Sequence, residues 1–77
     1  MIELDLNIGK IPYFCQTLNQ FESDFNIHNG RFIFDGKSLM GLYAINYNYD
    51  IFIDIIVKNE DYENIINNLQ QFIKSSG

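Results

Sequence analysis

Two stretches of this chain, one in its first residues and one about two thirds of the way along, alternate apolar and polar side chains with a period of two. Ile2, Leu4, Leu6 and Ile8 alternate with Glu3, Asp5 and Asn7, and Ile51, Ile53, Ile55 and Val57 alternate with Phe52, Asp54, Ile56 and Lys58. Successive side chains of a strand point to opposite faces, so both patterns demand a sheet with one face turned to a core. The later stretch is unusual because its outward row still carries Phe52 and Ile56. The first strand is expected to end near Gly9.

Between and after these strands the period changes to that of a helix. Pro12 suits a first helical turn, where its missing N–H would have no intrahelical partner, and Ile11, Phe14, Cys15, Leu18 and Phe21 fall on one stripe of a helix expected to reach Glu22. Phe25 and Ile27 read as a second strand, and Asn29-Gly30 predicts a type I′ hairpin leading into a third over Arg31–Asp35. Asp35-Gly36-Lys37-Ser38 is turn-like, followed by a short helix carrying Leu39, Met40, Leu42, Tyr43 and Ile45 with Ser38 as its N-cap. After a polar loop and the Ile51–Val57 strand, Asp61 is the expected N-cap of a last helix. Its inner stripe is Tyr62, Ile65, Ile66, Leu69, Phe72 and Ile73, with Glu60 and Glu63 near the positive end and Lys74 near the negative end. Ser75-Ser76-Gly77 reads as a frayed tail. The order β-α-β-β-α-β-α implies an α+β fold, a four-stranded antiparallel sheet covered on one face by three helices, in a single domain over residues 1–77.

Charge and composition exclude several functions. Ten acidic residues against five basic ones give a formal charge of −5, which opposes binding to nucleic-acid backbones or anionic membrane surfaces. No apolar run approaches the length of a bilayer span, and the first residues lack the basic and apolar regions of a secretory signal, so a cytoplasmic location is expected. One histidine, one cysteine and scattered carboxylates match no metal template, and the isolated glycines fit no nucleotide loop, so neither metal nor cofactor is expected. Cys15, on the inner helical stripe, reads as a small core hydrophobe, and His28 as a solvent-facing residue of the hairpin turn. Ser38 carries two readings, a plain helix cap or a site where an added phosphate would meet unpaired N–H groups.

The segment Asp35-Gly36-Lys37-Ser38-Leu39-Met40-Gly41-Leu42-Tyr43-Ala44-Ile45 resembles the regulatory serine segment of HPr, the histidine-containing phosphocarrier family of the bacterial sugar phosphotransferase system. From Ser23 to the last helix the chain lies along the HPr pattern without a gap, with a slight shortening of the first helix. The resemblance implies the HPr fold, a regulatory kinase acting on Ser38, and a partner surface around Phe14, Lys37, Leu39, Met40 and Tyr43. It also implies an active-site loop at Gly9-Lys10-Ile11-Pro12 in which Gly9 stands where the family has its phosphorylated histidine and Ile11 where it has an arginine. Glycine has no side chain to carry a phosphoryl group, so the expectation is a non-enzymatic protein that works by binding. Its partner would be a kinase, a transcription regulator or a phosphotransferase-system component. Two alternatives stand beside it: a structural module, including a homodimer formed through Phe52 and Ile56, and an atypical carrier using His28.

Overall fold

The computed structural model describes residues 1–75. Its elements are β1 (Ile2–Leu4), a 3-10 turn at Ile8–Lys10, α1 (Ile11–Leu18), β2 (Asp24–Asn29), β3 (Phe32–Asp35), α2 (Leu39–Leu42), β4 (Ile51–Ile56), α3 (Tyr62–Leu69) and a second 3-10 turn at Gln70–Phe72. The strands form one antiparallel sheet in the order β1-β4-β2-β3. The period-two reading holds within the strands, where Leu4, Phe25, Ile27, Ile51 and Ile53 lie on the covered face and are buried with Ile11, Phe14, Leu18, Leu42, Ile65, Leu69 and Phe72 from the helical layer, but Val57, expected on the same row, lies past the end of β4 and is exposed. Phe14 and Phe72 meet edge to face at 5.0 Å between ring centroids and tie α1 to the C-terminal segment.

Several boundaries differ from the sequence pattern. β1 stops at Leu4, and the side-chain alternation carries on only to the buried Leu6: Ile8, expected on the covered row, opens the 3-10 turn and is 67% exposed. α1 ends at Leu18, not Glu22. Asn19 closes it by donating its backbone N–H and its side-chain amide to the Cys15 carbonyl, the latter at 2.9 Å, and the same amide reaches the Lys37 carbonyl. In the hairpin, Asn29 pairs with Phe32, so the loop residues are Gly30 and Arg31. Only Gly30 has a positive φ, +62°, which fits a type II′ turn instead of the expected I′.

At the far end, α3 stops at Leu69, and Ile73 bridges to Leu4 instead of extending the helix. Tyr62 is not on the inner stripe but about half exposed, and the Asp61 side chain makes no capping bond even though its carbonyl accepts the Ile65 N–H at 2.9 Å. Lys74 does not serve the helix terminus: its ammonium pairs with Glu3 at 3.1 Å, which raises its pKa. Of the expected tail, residues 76 and 77 lie outside the described residues. Among those described, no helix is long and apolar enough to cross a membrane.

Candidate functional site

The loop that opens α1 is shaped by Asn7. Its side chain accepts the Lys10 N–H at 3.2 Å and caps the short 3-10 turn, which continues directly into the helix with Pro12 in its first turn. Gly9 is exposed, and a Cβ there would come within 3.3 Å of the Asn7 Oδ1, closer than ordinary contact, so a side chain at this position would press on the oxygen that caps the turn. Ile11 has no exposed surface and belongs to the core. Ile11 thus faces inward, where a guanidinium in its place would be buried without a partner.

Ser38 sits where the pattern places it. Extended in backbone, it caps α2 by accepting the Gly41 N–H on Oγ at 3.2 Å. The preceding turn is closed by Asp35, whose side chain accepts the Lys37 N–H at 2.9 Å and whose carbonyl accepts the Ser38 N–H at 3.0 Å. Replacing Ser38 by alanine is expected to cost about 0.5–1 kcal/mol through the lost cap, and by aspartate much less, since a carboxylate caps as well. Chemical denaturation of both variants checks this.

Of the residues grouped as a partner surface, only part forms one. Met40 is 82% exposed, and Leu39 and Tyr43 are each somewhat under half exposed, so α2 shows an apolar patch beside Ser38. Phe14 is not part of it: it has no exposed surface, because the helical stripe that carries it faces the sheet. Lys37 is half-buried with its ammonium folded back onto the Phe21 carbonyl and over the Phe25 ring, so it is not displayed toward a partner.

His28 is not a turn residue. It lies within β2, half-buried, opposite Phe52 of β4 and Ile33 of β3 on the face of the sheet away from the helices, so it does not reach the Gly9–Pro12 loop. On that open face Phe52 is half-buried between Glu3 and His28, while Ile56 is more exposed and pairs with Asp24. Cys15 is buried, its thiol held against the Lys37 carbonyl and the Asn19 amide, and burial raises its pKa. The thiolate is therefore scarcer than in the unfolded chain at neutral pH, and alkylation in the native state is expected to be at least about tenfold slower than in denaturant. Timed mass spectrometry would show it.

One residue escaped the sequence reading. Asn29, read only as a turn former, is buried, and its side chain fastens the loop between α2 and β4. It donates to the Asn46 carbonyl at 3.0 Å and the Asp50 carbonyl at 3.3 Å, and accepts the Asn46 N–H at 2.8 Å. The available signal was weak: an asparagine whose parity along β2 puts it on the covered side.

An antiparallel β1-β4-β2-β3 sheet roofed on one face by helices, with a serine capping the short helix after its edge strand, is the open-faced sandwich of the phosphocarrier class. The family described as the HPr component phosphorylation site of the phosphotransferase system matches residues 5–75, and the chain belongs to that family. Among solved structures it is similar to Crh, described as the catabolite repression containing protein of Bacillus subtilis in a swapped-domain dimer. The two share 19% identity over 96% of this chain and 90% of that one, with a TM-score of 0.62, which shows a common fold. No curated protein matches the sequence.

Proposed function

We propose that this chain is a member of the HPr family that does not relay phosphate through histidine, and that it acts by presenting the α2 patch to a protein partner under control of phosphorylation at Ser38. The observation that carries this reading is the loop at Gly9–Pro12: Gly9 offers no nucleophile, Ile11 is sealed in the core, and the only histidine lies on the opposite side of the sheet. What remains available is Ser38, beside the exposed Leu39, Met40 and Tyr43.

A phosphate on Ser38 would add close to two negative charges beside this patch. Lys37, next in sequence, is occupied with the Phe21 carbonyl, and Asp35 adds its own negative charge to the turn. The phosphate would therefore face outward, available to an arginine of a partner and repellent to an acidic one. The partner class is a regulatory kinase, a transcription regulator or another phosphotransferase component, acting in the cytoplasm, and the protein has no enzymatic activity of its own.

Incubation with HPr kinase and nucleotide, read by intact mass, is expected to add one phosphate that Ser38→Ala abolishes. Incubation with enzyme I and phosphoenolpyruvate is expected to add none. Acid-labile phosphate appearing in the second experiment and vanishing in His28→Ala would replace this reading with that of an atypical carrier. Absence of modification in the first would leave a structural module whose Ser38 is only a cap.

A further inference from the structure

The two edges of the sheet are finished differently. Beyond β1 the C-terminal segment closes the edge: the Asp5 N–H donates to the Phe72 carbonyl at 2.7 Å, the Lys74 N–H to the Glu3 carbonyl at 3.0 Å, and Leu4 bridges Ile73. The other edge is β3, which pairs only with β2. The bond from the Gly36 N–H to the Phe25 carbonyl, 2.9 Å, sets the phase of that ladder. By alternation Phe34 and Phe32 aim their backbone groups at β2, and Ile33 aims its N–H and C=O out of the sheet. Among the described residues nothing bonds to either group of Ile33, and Ile33 and Phe32 are 61% and 56% exposed.

This open edge is complementary to itself. Laid antiparallel against a second copy with Ile33 opposite Ile33, the segment Arg31-Phe32-Ile33-Phe34-Asp35 sets Arg31 against the second copy's Asp35 and Phe32 against the second copy's Phe34. The outward-facing groups are in the right phase for this register, since the Ile33 pair exchanges two hydrogen bonds and the Asp35 N–H points toward the Arg31 carbonyl. Strand parity puts both phenylalanines of each copy on the helix side and Ile33 and Asp35 on the other, with Arg31, the turn residue next to the strand, within reach of the second copy's Asp35. Slipping by two residues sets Arg31 or Asp35 against isoleucine, so charge selects the centred register. Arg31 lies over the Phe32 ring at 5.6 Å on the free surface, an exposed contact that its long side chain can exchange for a carboxylate.

We propose that β3 is the interface of a homodimer in which two copies join edge to edge about a twofold axis through Ile33, their sheets running on as one. The occupant of the edge is a second copy of this chain, because the edge bears both members of each charge pair. The proposal is independent of the role given to Ser38.

Sedimentation analysis of the full chain tests it. The wild type is expected to show a concentration-dependent dimer. Ile33→Pro removes the outward N–H, which serves no ladder bond in the monomer, and is expected to be monomeric with unchanged circular dichroism. Arg31→Glu and Asp35→Lys are each expected to weaken self-association by about tenfold or more, because both cross-strand pairs become repulsive. Mixing these two variants is expected to restore a heterodimer, in which every pair is again attractive. The proposal is overturned if the wild type is monomeric at millimolar concentration, if Ile33→Pro and Arg31→Glu dimerise as well as the wild type, or if the mixture of folded variants fails to associate. It is equally overturned by a dimer that depends on Phe52 and ignores residues 31 and 33. Should Asp35→Lys lose its turn bond and unfold, Ile33→Pro and Arg31→Glu still decide the matter.

Discussion

Replacing Phe14 by alanine is expected to cost about 3–5 kcal/mol, enough to unfold much of the protein at room temperature, whereas Phe14→Leu stays folded with a loss nearer 1 kcal/mol. The ring is fully buried, packs edge to face on Phe72, and joins α1 to the segment that closes the sheet edge, so its removal leaves a cavity at the junction of three elements. Denaturant titration followed by far-ultraviolet circular dichroism measures the effect. A stable, folded Phe14→Ala protein with altered partner binding would return Phe14 to the surface role that the family pattern implies for it.

The second large effect is expected at Asn29. Truncation to alanine removes both halves of a reciprocal bond with Asn46, leaves the Asn46 N–H and carbonyls of the loop before β4 without their partner, and is expected to cost about 2–3 kcal/mol. For a domain of this size that corresponds to a fall of roughly 10–20 °C in melting temperature, read by calorimetry. Asn29→Asp separates donor from acceptor. It keeps the acceptor for the Asn46 N–H but sets a buried carboxylate against backbone carbonyls, so it is expected to be the less stable of the two at neutral pH. Its sign with pH is also determined. Burial raises the folded pKa of that carboxyl above its unfolded value, so the folded state holds a proton longer and stability recovers as pH falls through that folded pKa. A variant whose stability is flat from neutral to mildly acid pH would show that the site is not dry.

What the sequence made legible follows from how local each cause is. Pro12, the Ile11–Leu18 stripe and the Ser38 cap depend on neighbours within a turn, and all stand in the structure as read. The alternation in β2 and β4 likewise names the covered face correctly. Three features were hidden because their causes lie far away in the chain. α1 ends early because Asn19 is shared with the Lys37 carbonyl, the last helix gives up Ile73 because Leu4 is there to bridge it, and Lys37 turns inward because the Phe21 carbonyl receives it. In the candidate site the helical stripe and the family pattern disagreed over Phe14, one reading it as core and the other as surface. The stripe prevailed, since periodicity reports on this chain's own packing.

The clasp between the first strand and the last residues sets an order of events during synthesis. Ile2 and Leu4 find no sheet neighbour in the first fifty positions; their partners are Ile53 and Ile51, with Ile73 beyond. A nascent chain must therefore expose β4 before Ile2 and Leu4 gain a sheet neighbour, while the β2-β3 hairpin needs only a short stretch of its own sequence. Growth of the sheet outward from the local β2-β3 hairpin, with β1 docking only once β4 is in place, is the order these pairings favour.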